Sequence, residues 1–220
     1  MWLFLCLCIM LTLCPYAAAG TTVKAANVPL IAVDAGHGGS DGGAVAADGT
    51  KESTINLQIT RKLEGVLCFL GCRTHMIRKG EESLADPGAA ALHQGKASDV
   101  KNRISAVRGS TALISIHQNS LPGHPGVHGA QVFYNRVAPA DELAAAVQRQ
   151  LNRTVNSGNE KNCRAISEEI CLMKKADCPA ILAECGFLSC PAEVRILTSE
   201  TYQKQLAAVI GAAVMEFYSK

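Results

Sequence analysis

PLIAVDAGHGG, residues 29–39, sets the fold: an apolar run rich in branched side chains stops at a cluster of glycines. Such a run predicts a buried strand feeding a Gly-rich loop. Beyond the loop, Ile55, Leu57, Ile59, Leu63, Val66, Leu67 and Leu70 recur largely at helical spacing, with Thr50 as the expected N-cap and Gly71 as the stop. Residues 72–78, CRTHMIR, then alternate as a second strand. Strand, helix and strand in that order predict a βαβ unit, hence a parallel pair joined by a right-handed crossover.

The pattern continues outward. Residues 79–98 read as a long polar surface loop, residues 99–107 as a helix and LISIH, residues 113–117, as a third strand. AQVFY (130–134) is strand-like, residues 141–151 are helical, and residues 170–173 suit a short edge strand. AILA (180–183) is another buried strand, expected to stop at Glu184, and a last helix covers residues 201–218. No repeat, low-complexity tract or linker interrupts this, so a single α/β domain is expected over residues 27–220.

With 48% hydrophobic and 18% charged residues the chain reads as globular, and a net charge of +2 without a basic cluster gives no argument for a nucleic-acid partner. Residues 2–13 form an apolar run shorter than the roughly 20 residues a membrane span needs, and small residues follow at 17–19. Residues 1–19 therefore read as a secretory signal peptide, with an uncleaved membrane anchor and a lipid-modified Cys14 as the open alternatives. Of the ten cysteines, Cys68, Cys72, Cys163, Cys171, Cys178, Cys185 and Cys190 lie beyond this segment. That number is odd and no C-x-x-C pair occurs, so a cysteine zinc ribbon is not expected. One or two bridges among the last five, or buried free thiols, both remain open.

Three polar residues fall where strands end: His37, His117 and Glu184. Ligand sites in open α/β sheets gather outside the carboxyl ends of strands. Glu52 opens the first helix, across the Gly-rich loop from His37. Two His and one Glu form a ligand set used by catalytic zinc, and a second carboxylate, here Glu184, can then move the proton. Taken singly, each has a plainer role: a hydrogen-bonded turn histidine, a carboxylate favoured by the helix dipole, a core histidine, an acceptor for backbone amides.

Three motifs now add to this. VDAGHGGSDGGAVAADGTKESTINL (33–57) resembles the opening motif of the zinc-dependent N-acetylmuramoyl-L-alanine amidases, the amidase-3 family. LISIHQNS (113–120) resembles their second metal motif, and ILAECGFLS (181–189) the motif of the catalytic glutamate. The motifs keep the family's order, and the resemblance runs over residues 28–220.

The resemblance implies a mixed, mostly parallel six-stranded sheet flanked by helices, with His37, Glu52 and His117 holding Zn2+ and Glu184 as catalytic acid/base. Asn119 and Arg103 match positions that are usually polar in the family and are expected to bind substrate or support the site. A structural ion pair is the plainer role for Arg103. The implied substrate is peptidoglycan, cut between the lactyl group of N-acetylmuramic acid and L-alanine of the stem peptide. Among family members the chain looks most like the sporulation and germination amidases, which act in spore-cortex maturation towards muramic-δ-lactam. A general autolysin, a non-catalytic peptidoglycan-binding module and a stem peptidase are the alternatives. An exported protein of the cell envelope, in the space between the spore membranes, is expected, with any protein partner unidentified. Asp34 is the expected partner fixing a histidine tautomer, Cys185 is a thiol that can tune or compete for the metal, and His128 is expected to line the groove. His75, His93 and His124 read as surface histidines.

Overall fold

The computed structural model describes residues 28–89, 92–167 and 170–219, and of Leu92 and His93 the backbone alone. The expected signal or anchor at residues 1–19, including Cys14, lies outside the described residues, as does the His93 side chain. Among the described residues no helix is long and apolar enough to cross a membrane.

In chain order the elements are β1 (Leu30–Ala35), α1 (Glu52–Phe69), β2 (Arg73–Met76), α2 (Leu92–Val107), β3 (Ala112–Asn119), β4 (Gln131–Tyr134), α3 (Ala140–Thr154), β5 (Arg164–Ala165), α4 (Cys171–Lys175), β6 (Ala180–Phe187), α5 (Pro191–Leu197) and α6 (Glu200–Tyr218). They form a six-stranded sheet in the order β2-β1-β3-β6-β4-β5. β1 pairs in parallel with β2 and β3, and β3 with β6. β4 turns the sheet antiparallel against β6 and pairs in parallel with β5. The βαβ unit read from residues 29–78 is therefore present, within the expected mixed sheet.

Central strands covered on both faces must be apolar on both, and these are. Ile31, Val33, Ile114, Ile116, Ile181 and Ala183 face a large core with α1, α3 and α6. Ala32, Leu113, Ala180 and Leu182 face a smaller core closed by the end of α2 and by α4. Ile55, Ile59, Leu63 and Leu67 place one buried residue per turn of α1 against the first core.

Several boundaries differ from the sequence expectations. α2 begins at Leu92, inside the expected long loop, because its inner face carries the polar contacts of Asp99, Asn102 and Arg103 where an apolar stripe would be looked for. Residues 170–173 are not an edge strand: Cys171–Lys175 is helix α4, burying Leu172 and Met173, and the edge is Arg164–Ala165. A four-residue apolar run has no period long enough to tell the two apart. Lys51, not Thr50, is the N-cap of α1, with no side-chain cap bond. β6 does not stop at Glu184 but continues to Phe187, and α5 follows unforeseen. The seven described cysteines are free, so the bridges considered among the last five are not formed.

Candidate metal and catalytic site

Four side chains from four segments meet at the carboxyl end of the parallel strands. His37 follows β1, Glu52 is the first residue of α1, His117 lies near the end of β3, and Glu184 is the register partner of His117 on β6. Glu52 is the hub. Its Oε2 is 3.3 Å from His37 Nε2 and its Oε1 is 2.9 Å from His117 Nδ1. The same carboxylate accepts the backbone N–H groups of Ala44 at 2.9 Å and Gln118 at 3.1 Å, and an Asn56 amide N–H at 3.2 Å. The two imidazole rings stand edge to face with centroids 5.1 Å apart. One ligand atom from each of His37, Glu52 and His117 lies within 4.8 Å of the other two.

Two glycines make this packing possible. A Cβ on Gly36 would sit 2.2 Å from the His117 ring. One on Gly43, whose φ is +68°, would sit 2.4 Å from Glu52 Oε2. His37 itself has φ 63°, a left-handed conformation that a non-glycine residue adopts only when its surroundings hold it there.

The holding groups are two buried arginines. Arg78 donates to the carbonyls of Ala35 at 3.0 Å, Gly36 at 3.2 Å, Ser53 at 2.9 Å and Gly80 at 2.6 Å. Arg103, 3% exposed, donates to the carbonyls of Ala35 and His37 and pairs with Asp34 and Asp99. Together they tie three successive carbonyls, residues 35 to 37, to the sheet and to the start of α1. Arg103 is thus a buried ion-paired residue beneath the His37 loop. Asp34 does not orient a histidine: it receives Arg103 and the Ser115 hydroxyl. Asp41 takes that place, its Oδ2 3.1 Å from His37 Nδ1. Asn119 accepts the backbone N–H of Ser120 on its side chain and that of Leu188 on its carbonyl, joining the ends of β3 and β6.

Sequence reasoning missed Arg78 and Asp41. Arg78 closes the CRTHMIR strand, where a charge reads as solvent-facing. Asp41 stands four residues after His37 in a glycine loop that has no periodicity to read. Cys185 does not approach the ligand set. Neighbours along a strand point to opposite faces, and Cys185 is packed in the large core, its thiol pushed up by burial and then by the Glu184 charge. His128 is exposed and bonded to its own turn through Gly126 rather than facing the site, and His75 and His124 are exposed as expected.

The electrostatics follow from the packing. Burial alone would pull His37 down, but hydrogen bonds and charge from Glu52 and Asp41 outweigh it and raise the imidazole to about 9. Burial opposes ionisation of Glu52, yet its bonds to His117 and His37 hold it well below the usual carboxylate range. Glu184 differs: burial and the nearby Glu52 charge outweigh the two histidines and raise it to about 7, and its buried Oε2 has no hydrogen-bond partner among the described residues. Two carboxylates in one site are thus held apart, one ionised and one poised to exchange a proton near neutrality. Two imidazoles and an ionised carboxylate suit a divalent ion such as zinc, and the tight glycine cradle leaves these donors facing one another.

Comparison with known proteins gives the same direction. Residues 31–216 match the family model described as N-acetylmuramoyl-L-alanine amidase. The chain is 30% identical over 193 residues to the germination-specific N-acetylmuramoyl-L-alanine amidase of Bacillus subtilis, covering 87% of this chain and 80% of that protein. Its fold is similar to the CwlD amidase of Clostridioides difficile, solved in complex with the GerS lipoprotein, with TM-score 0.82, 33% identity, and 87% and 98% of the two chains covered. An N-acetylmuramoyl-L-alanine amidase from Clostridium difficile 630 gives TM-score 0.76 at 26% identity, with 88% and 98% covered.

Proposed function

The chain belongs to the amidase-3 family of N-acetylmuramoyl-L-alanine amidases, peptidoglycan hydrolases, and from that premise we propose that it works with zinc held by His37, Glu52 and His117. Glu184 is the proton carrier in this reading, and the spore cortex is where the enzyme acts. The observation that carries the reading is the juxtaposition of a His-Glu-His donor cluster with the half-buried Glu184, raised to about 7, whose buried Oε2 has no hydrogen-bond partner among the described residues.

A zinc ion in this site supplies Lewis acidity, acidifying water and offsetting negative charge as it grows on the scissile carbonyl oxygen. The protein does the rest. Asp41 fixes the orientation of His37 through Nδ1, leaving Nε2 turned to Glu52 and the site. Glu184 takes a proton from the attacking water on a carboxylate oxygen and passes it to the leaving nitrogen of L-alanine. A carboxyl titrating near 7 can both accept and return that proton at neutral pH. The arginine-held loop keeps His37 in register with His117, so catalytic geometry is built before substrate arrives.

The spore assignment is supported by the likeness to the germination-specific enzyme of Bacillus subtilis and to CwlD. Export to the cell envelope, with residues 1–19 as signal or anchor and residues 27–220 as the catalytic domain, accords with a cell-wall substrate. A lipoprotein partner is part of the same proposal, since CwlD was solved with GerS. Digestion of purified peptidoglycan followed by mass spectrometry tests the bond: new L-alanine amines are expected, and any other new end would assign a peptidase. Loss of muramic-δ-lactam from the cortex of a deletion strain tests the stage.

Two results are expected at the metal site. His117→Ala removes one of three donors and lowers zinc content to a small fraction of wild type by metal analysis; an unchanged stoichiometry would sink the three-donor site. Zinc uptake at pH 7 releases about one proton, because His37, raised to about 9, is protonated there and must lose its proton to bind. Apparent affinity then rises roughly tenfold per pH unit up to about pH 9. Calorimetry in buffers of different ionisation enthalpy reads this directly, and buffer-independent heats would contradict it.

A further inference from the structure

Asn56 stands one turn after Glu52 on the buried stripe of α1, beside Ile55 and Ile59, and is fully buried. A carboxamide in such a stripe costs free energy unless its polar atoms are bonded. Here they are. Nδ2 donates to the Gly36 carbonyl at 3.1 Å and to Glu52 Oε1 at 3.2 Å, and Oδ1 accepts Gln118 Nε2 at 3.1 Å. Turning the amide over would set its oxygen against a carbonyl and a carboxylate, so the partners fix its orientation.

The three partners share one property. Gly36 precedes His37, Glu52 is itself a donor, and Gln118 follows His117. One side chain is therefore bonded to all three segments that bring a metal donor to the site. Neither buried arginine does this, since among the described residues neither Arg78 nor Arg103 bonds to a residue of β3. With both imidazoles turned to an ion, Glu52 keeps three donors among the described residues: the N–H groups of Ala44 and Gln118 and the Asn56 amide. Of these only Asn56 donates from a side chain, so it is the one a substitution removes without touching the backbone.

We infer that Asn56 is the positioning residue of the metal site, setting the spacing of His37, Glu52 and His117 through one buried amide, and that Gln118 acts through it. The inference rests on the zinc reading above and deepens it. Both Asn56 N–H groups are engaged by protein acceptors, and its part is to hold the donors rather than to be one.

The test measures zinc affinity by chelator competition, and the visible spectrum with Co2+ in place of zinc, for wild type, Asn56→Leu, Gln118→Met and the double variant. Asn56→Leu is expected to raise the zinc Kd about 10- to 100-fold, the range for residues that orient metal ligands, and to shift the Co2+ bands. Gln118→Met is expected to raise Kd about two- to tenfold, the size of one hydrogen bond between neutral groups, and to add nothing once Asn56 is gone. Denaturant unfolding of the metal-free protein separates this from a purely structural role. Lower stability with wild-type zinc affinity and Co2+ spectrum in folded Asn56→Leu overturns the inference, as do additive losses in the double variant. If Asn56→Leu does not fold, Gln118→Met alone decides: a raised Kd with shifted bands supports the inference, and unchanged affinity and spectrum overturn it. Wild type that takes up no zinc would instead strike the metal reading.

Discussion

Replacing Glu184 by Gln is expected to lower kcat on peptidoglycan by about 10²- to 10⁴-fold, the range general acid–base groups supply, while zinc content stays at the wild-type level. Three features of the structure set this expectation. Glu184 Oε2 is buried with no hydrogen-bond partner among the described residues, so an amide in its place removes no bond that the fold uses. The β6 backbone stays paired with β3 and β4 on either side of residue 184. The titration near 7 that suits proton transfer arises chiefly from burial, and an amide of the same shape cannot titrate at all. Near-wild-type turnover would remove Glu184 from the mechanism, and loss of zinc would make it a structural support of the metal instead.

The second large effect is expected at a residue that touches neither metal nor substrate. Arg78→Met should cost about 2–4 kcal/mol of stability, because four buried or part-buried carbonyl acceptors each lose the Arg78 bond at once, two of them keeping a second donor. Ala35 retains Arg103 and Gly36 retains the Asn56 amide, so the damage falls chiefly on the Ser53 and Gly80 carbonyls, beside Glu52 in the first turn of α1 and at the end of the CRTHMIR stretch. Denaturant unfolding should show a lower midpoint, and zinc should bind more weakly in the folded variant at low temperature. Wild-type stability would show that water or a shifted Arg103 replaces the donors. Wild-type zinc affinity in a destabilised variant would confine Arg78 to the fold.

The apolar runs at residues 29–34 and 113–117 read as strands locally, being short, rich in branched residues and, in the first case, stopped by glycines. The four residues 180–183 gained that reading from the turn residues that follow them. α1 also reads locally, its buried residues following one stripe. The boundaries that shifted were those with polar burial or too little length. The inner face of α2 is an ion-paired network, and residues 170–173 were too short to show a period. The metal donors could be named one by one, but each had a plainer reading until the three motifs were taken together. Arg78 and Asp41 had no such signal, because a strand-end arginine and a loop aspartate carry the same local pattern whether they face water or a carbonyl.

The sequence by itself thus determined the βαβ opening, the central strands β3 and β6, the last helix and the family motifs that single out His37, Glu52, His117 and Glu184 as candidates, all of which are properties of neighbours along the chain. The tertiary structure decided what those residues experience. Parallel pairing of β1, β3 and β6 brings His37, His117 and Glu184 to one edge, and the glycines at 36 and 43 let Glu52 sit between the imidazoles. Burial then separates the carboxylates, Glu52 held ionised by two histidines and Glu184 raised to near neutrality, its Oε2 without a hydrogen-bond partner among the described residues. Charge state depends on distance and solvent access, and these are fixed only when segments far apart in the chain are packed together.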